Sequence, residues 1–187
     1  MTDYDEYFVR LRSRKRVGLW YRHWWLYPRI CSHLHGKVLD IGCGIGDMVR
    51  YRPQSVGVDV NPNAVAFCRS QGMQVHQMQP DRLPFADGEF DGATLDNVLE
   101  HLASPQALLA EVHRVLRPSG KLVIGVPGER GFASDPDHKR HYSEADLIRR
   151  LRDSGFELLH VFHEPFRSRL LDRRFRYYAI YGVFRPV

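Results

Sequence analysis

The chain has 187 residues, 43% of them hydrophobic and 26% charged, which fits one globular domain spanning 1–187 with a core of its own. Its longest strongly apolar stretches, 122–126 and 177–184, are strand-length and far short of the roughly 20 residues a membrane-spanning helix needs. Lys plus Arg exceed Asp plus Glu by five (27 − 22), with much of the excess in "RLRSRKR" (10–16) and in 167–176. Such runs are either a solvated charged face or a surface for an anionic acceptor, nucleic acid or a membrane headgroup layer. Cys31, Cys43 and Cys68 are scattered and odd in number, without a CxxC or Cys/His spacing, so neither disulfides nor a metal are expected. The opening "MTDYDEYFVRL" lacks the basic-then-apolar layout of a secretion signal, and a soluble cytoplasmic protein is the expectation.

Tyr4, Tyr7, Phe8 and Leu11 recur at helical spacing, as do Trp20, His23, Trp24, Tyr27, Cys31 and Leu34. Two helices therefore open the chain and end near Gly36. The aromatic cluster "LWYRHWWLYP" reads as core packing. From there, strand-like runs at 38–41, 55–60, 74–78, 90–95 and 121–126 alternate with helix-like segments at 46–52, 63–71, 98–101 and 104–116. That alternation predicts an α/β fold with a parallel sheet. "SPQALLAEVHRVL" has Ser104 placed as N-cap and Pro105 at the first helical position, with Pro118 and Gly120 beyond its end. A further helix starts at Ser143, carries Glu144 and Asp146 in its first turn and stops at Gly155. "ELLHVFH" and "RYYAIYGVF" then read as strands joined by the Arg-rich 167–174.

The stretch "VLDIGCGIGD" (38–47) runs from an apolar strand into three glycines, Gly42, Gly44 and Gly46, so ligand atoms can approach the backbone where side chains are missing. The dinucleotide fingerprint GxGxxG would put its third glycine at 47, where Asp47 stands, and the nicotinamide pattern fails by one residue. Asp59 ends "SVGVDV". Alone it is as readily a turn residue; together with the glycine loop it reads as a carboxylate for a ribose diol. Asp40 beside the loop would repel a pyrophosphate but suits the amino group and sulfonium of a cationic aminoacyl ligand. That combination points to S-adenosylmethionine.

Here the chain resembles the class I S-adenosylmethionine-dependent methyltransferases, of the small-molecule type that includes those of bacterial polysaccharide synthesis. The resemblance covers about 38–156 and rests on "VLDIGCGIGD", "VGVD", "LPFADGEFD", "NVLEHL", "LLAEVHRVLRPSGKLVIGVP" and "HKRHYSEADLIRRLRDSGF", in family order. It implies a Rossmann-like three-layer sandwich: a seven-stranded, mostly parallel sheet with an antiparallel C-terminal strand. Residues 1–36 would be a helical lid and 37–187 the catalytic core. It further implies that Asp40 orients the methionine amino group, that Gly42, Cys43, Gly44 and Gly46 pass under the cofactor, and that Asp59 holds the ribose. Val60 would lie against adenine, and main-chain atoms of Leu95 and Asp96 would touch the methionine portion. Four residues before Leu83, where the family has an aspartate for the adenine amino group, this chain has Gln79, followed by Pro80. Glutamine still accepts through its amide oxygen, whereas proline has no N–H to donate. A shift of two would substitute Asp81 and Arg82; Gln79 is the assignment taken.

Methyl transfer to a hydroxyl needs an aligned acceptor and a proton acceptor. "DHKRHYSEADL" matches the family stretch that borders the acceptor, with His138, Arg140 and Tyr142. His138 is the candidate general base and His141 the second; either is as readily an exposed or structural histidine. His101 and Glu100 are equally ambiguous. The expected activity is methyl transfer from S-adenosylmethionine to a small-molecule or glycan hydroxyl, on an acceptor that the basic surface would allow to be anionic, leaving S-adenosylhomocysteine. A nucleic-acid methyltransferase is the enzymatic alternative, against which "LDNV" stands where an "NPPY"-type tetrapeptide would. A silent S-adenosylmethionine-binding module is the non-enzymatic one. Monomer and homodimer stay open.

Overall fold

A computed structural model describes residues 3–13 and 16–187. Arg14 and Lys15 of the first basic run fall outside it, as do the side chains of Tyr4 and Tyr7. The N-terminal helices are α1 (Asp3–Arg12), α2 (Arg16–Tyr21) and α3 (Tyr27–Cys31), with a π-helical turn at Arg22–Leu26 joining the last two. The core follows as β1 (Val38–Ile41), α4 (Asp47–Tyr51), β2 (Val56–Asp59), α5 (Pro62–Ser70), β3 (Val75–Gln77) and β4 (Phe90–Asp96). Then come α6 (Gln106–Val115), β5 (Leu116–Pro127), α7 (Glu129–Phe132), α8 (Glu144–Arg152), β6 (Phe156–Glu164), α9 (Arg169–Arg174) and β7 (Ala179–Pro186).

The seven strands form one sheet in the order β3-β2-β1-β4-β5-β7-β6. β7 pairs antiparallel with both β5 and β6, while the other pairings are parallel, as the family resemblance implies. Apolar side chains alternate between the sheet's two faces. Leu39, Ile41, Leu122 and Ile124 join α6 and α8 in one core, and Val38 and Val123 join Leu26, Tyr27 and Ile30 in another. On α6, Leu108, Leu109, Val112 and Val115 are buried at helical spacing, and truncating one such leucine to alanine costs about 2–5 kcal/mol.

Chain order reverses direction between β1 and β4: β1 leads outward to β2 and β3, whereas β4 leads to β5 on the other side. A parallel sheet leaves a crevice above the carboxyl ends of its strands at that switch. The loop after β1 and the short 3₁₀ turn Leu99–His101 after β4 both open onto it.

Two local expectations change. α6 begins at Gln106 with Pro105, not Ser104, at the N-cap, its backbone already near helical (φ −79°, ψ −6°), and among the described residues no side chain caps the helix there. Ser143 does cap α8, accepting from Asp146 N. The aromatic cluster divides. Tyr27 packs in the core, whereas Trp20 and Trp24, one helical turn apart, face outward at 66% and 64% exposure, with Trp25 at 50%.

Candidate active site

Three glycines shape the loop after β1. Gly42, Gly44 and Gly46 have φ of 71°, 53° and 77°, a left-handed backbone that side chains other than glycine rarely adopt. A Cβ on Gly42 would lie 2.5 Å from Val98, and one on Gly44 would lie 3.0 Å from Leu11 of α1. The amides of Gly42 and Cys43 both donate to Val58 O (2.8 and 3.0 Å), tying the loop to β2. The Cys43 side chain packs with Val49, Val65, Cys68 and Val75, so its backbone is what a ligand would meet.

Asp59 closes the loop from the side. Its Oδ2 accepts from Gly44 N at 2.7 Å and its Oδ1 from Asn61 N at 2.8 Å, so the carboxylate is fixed between the glycines and the start of α5. Burial pushes its pKa up, against those backbone donors. Asn61 in turn caps α5, its side-chain oxygen accepting from Asn63 N and Ala64 N. Val60, between Asp59 and Asn61, is half-buried against the main core.

Asp40 sits under the same loop, 4% exposed, with Thr94 Oγ1 donating to its Oδ1 at 2.7 Å. Burial is the largest influence and raises its pKa to about 7; Thr94 opposes that, and the nearby Asp96 adds to it. A carboxylate so poorly supported is stabilised by an arriving cation and repels an anion. The residues present therefore fit a cationic aminoacyl nucleoside and disfavour a pyrophosphate.

The adenine assignment is less enclosed. Met78 N donates to Asp59 O at 3.0 Å, which carries the chain past Asp59, and Gln79 and Pro80 beyond it are exposed. Gln79 also lines a cavity of about 1200 Å³ that reaches Lys37, Gln74 and Glu89, the residues directly before β1, β3 and β4.

On the β4 side, Leu95 is fully buried and offers only main chain. The Asp96 carboxylate is already engaged: Arg22 donates two bonds to Oδ2 (2.9 and 2.8 Å), and Tyr181 and Asn97 donate to Oδ1 (2.6 and 2.9 Å). Sequence reasoning missed Arg22 and Tyr181, which lie 74 and 85 residues from Asp96. Arg22 stands on the π-helical turn, a distortion frequent at functional positions. α1 spans the crevice. Leu11 rests over Gly44, Asn63 Nδ2 donates to Asp5 at one end, and Arg10 bridges to Asp135 and Asp137 at 3.0 and 2.9 Å at the other.

His138 comes to this mouth and His141 only to its rim. The carbonyl of Glu100 accepts from Lys139 N and Arg140 N (2.7 and 3.1 Å), pinning the His138 loop to the 3₁₀ turn. His138 lies flat on Phe132 (5.4 Å, 22°) and edge-on to His101 (4.7 Å, 67°), with its Nδ1 2.9 Å from Phe132 O. Its Nε2 is 3.8 Å from Glu100 Oε1. Burial raises the Glu100 pKa to about 8; that of His101 is lowered, first by burial and then by the neighbouring imidazole. His141 is exposed and touches Phe132 edge-on. Tyr142, expected at the acceptor, is instead buried in the main core at 1% exposure.

Known proteins resemble this chain in sequence and in fold. Residues 39–124 match a family described as a methyltransferase domain. The chain is 33% identical to a probable S-adenosylmethionine-dependent methyltransferase of Mycobacterium tuberculosis; the match covers 83% of this chain and 62% of that protein. It thus spans less than two thirds of that relative's length. It is 31% identical to a ubiquinone biosynthesis O-methyltransferase of Xanthomonas axonopodis, over 79% of this chain and 75% of that one. A Thermotoga maritima structure described as an S-adenosylmethionine-dependent methyltransferase, possibly acting on histamine, superposes with a TM-score of 0.77 over 98% and 99% of the two chains at 20% identity.

Proposed function

The chain belongs to the class I S-adenosylmethionine-dependent methyltransferases, and we propose that it transfers a methyl group from S-adenosylmethionine to a hydroxyl of a small-molecule or glycan acceptor, leaving S-adenosylhomocysteine. The observation that carries the cofactor half is Asp40, a buried carboxyl raised to about 7 beside a glycine backbone, where a cation is favoured. When bound, the cofactor supplies an electrophilic methyl on a sulfonium. Asp59 accepts from the ribose hydroxyls, Asp40 faces the amino group, and the backbone of 42–46 lies beneath. Val60 and Gln79–Pro80 border adenine, with the main chain of Leu95 and Asp96 along the methionine portion. α1 and the turn that carries Arg22 act as a lid: Leu11 shields the loop, and the Arg10 and Arg22 ion pairs hold the lid down across the crevice. Excluding water there strengthens every polar contact within.

A hydroxyl acceptor is supported by the cluster at the other end, where Glu100, His101 and His138 meet beside Asp96. Their part is to align the hydroxyl and dispose of its proton, with His138 the main contributor and His141 at the rim. Relatives named O-methyltransferases, from Penicillium expansum and Xanthomonas axonopodis, form the same kind of bond.

The test is turnover with the whole chain. S-adenosylmethionine is supplied with panels of sugar, lipid and phenol hydroxyls and of amines, and S-adenosylhomocysteine is followed by mass spectrometry. Acceptor-dependent product with a hydroxyl panel supports the reading. Cofactor binding without product on any panel favours a silent module, and product with amines alone overturns the hydroxyl.

A further inference from the structure

Glu100 is 0% exposed, yet neither of its carboxylate oxygens takes a hydrogen bond among the described residues. Leaving such a group unpartnered costs several kcal/mol, which an apolar side chain of similar size would avoid. Two imidazoles stand in front of it. The Phe132 carbonyl can only accept, so His138 Nδ1 carries the ring proton and the Nε2 lone pair faces Glu100 Oε1. At 3.8 Å that gap is too wide for a hydrogen bond. One candidate ligand atom from each of Glu100, His101 and His138 lies within 4.8 Å of the others. An imidazole whose far N–H is held by a backbone carbonyl, with its lone pair turned toward a carboxylate, is how proteins present histidine to a metal.

We propose that Glu100, His101 and His138 form a binding site for a first-row divalent cation of the zinc or manganese type, with coordination positions left open toward the acceptor. Two nitrogens and one oxygen suit such ions better than calcium or magnesium, which take oxygen ligands. At bond lengths of about 2.0–2.2 Å, two ligands at a tetrahedral angle stand about 3.4 Å apart, so the 3.8 Å pair has to draw in by about 0.4 Å and the third ligand, within 4.8 Å of the others, has to turn toward them. A cation there would also give a partner to the buried carboxylate oxygens, which take no hydrogen bond among the described residues.

The inference deepens the hydroxyl-acceptor reading and, for its catalytic meaning, rests on it. A cation held by Glu100 and the two histidines would bind the acceptor oxygen and lower its pKa. The O–H bond then breaks with both electrons left on oxygen, and the proton passes to solvent. His138 works through the ion rather than by taking the proton itself, because its only lone pair is used.

The full chain, stripped of metal with a chelator and dialysed, is titrated with Zn²⁺ by calorimetry. Glu100→Gln, His101→Ala, His138→Ala and the distant His76→Ala are titrated in parallel, and S-adenosylhomocysteine binding shows that each is folded. We expect one saturable Zn²⁺ per chain, weakened at least about tenfold in the three cluster variants and unchanged in His76→Ala. If Glu100→Gln fails to fold, the two histidine variants carry the comparison. No saturable Zn²⁺ in the wild type, or equal affinity in all variants, overturns the site. Zn²⁺ binding without turnover on any acceptor keeps the site and removes the hydroxyl reading; turnover that survives chelation with no Zn²⁺ bound does the reverse.

Discussion

On the β1–β2 side of the crevice, the main groups assigned to a ligand come from residues 40–61, and the contacts that fix them are largely backbone: glycine amides, Val58 O and Asn61 N. The β4–β5 side gathers Arg22, Asp96, Glu100, His138 and Tyr181 from across the chain, and the contacts of its Asp96 carboxylate are made by side chains. A surface made of backbone tolerates sequence change everywhere except at its left-handed glycines and its two carboxylates. One made of side chains can be rebuilt residue by residue, so the first side suits a fixed cofactor and the second a variable acceptor.

Substitutions can break that contrast. Gly44→Val places a branched side chain where even a Cβ meets Leu11 at 3.0 Å, on a backbone of φ 53°, and should abolish S-adenosylhomocysteine binding in calorimetry. His138→Ala should lower turnover by about 10²–10⁴-fold, the range for losing activation of a reacting group, and leave cofactor affinity intact; a matching loss of both would mean the two sides are not separate. Asp59→Ala should weaken the cofactor by about 1–3 kcal/mol through the partners it leaves unsatisfied, with turnover at saturating cofactor little changed. A milder probe is pH. Asp40 holds its proton up to about 7, and a cationic ligand favours its charged form, so cofactor affinity should climb about tenfold from pH 6 to pH 8. For the free protein the sign reverses. Asp40 and Glu100 bind protons more tightly folded than unfolded, so together they lower stability as pH rises from about 4 toward 8. The smallest effect is expected from Arg10→Ala: its ion pairs to Asp135 and Asp137 are partly exposed, and losing them should cost under about 1 kcal/mol in a melting curve.

The contrast also explains what the sequence discloses. A strand, three glycines and an acid thirteen residues after the last of them form a short-range pattern whose geometry follows from local rules, so Gly42 to Gly46 and Asp59 are readable without a structure. Strand alternation disclosed the sheet, and Ser143 disclosed its helix, because capping acts over three residues. Ser104 misleads because Pro105 already sits near the helical conformation and takes over the cap position. The tryptophans mislead because ring size suggests burial, while the i, i+4 spacing of Trp20 and Trp24 fixes only that they share a face. Arg22 and Tyr181 meet Asp96 only once the N-terminal helices and the last strand have packed beside it, and no local pattern announces that. Glu100 carried a signal: an acid flanked by Val98, Leu99 and Leu102 in "NVLEHL" is an acid about to be buried.

The most direct test of the cofactor assignment is a calorimetric comparison of S-adenosylhomocysteine and NAD on the wild-type chain and on Asp59→Ala. One saturable S-adenosylhomocysteine site is expected, weakened by about 1–3 kcal/mol in the variant, with no competing NAD binding. Tighter binding of NAD, or S-adenosylhomocysteine affinity indifferent to Asp59, would contradict the assignment.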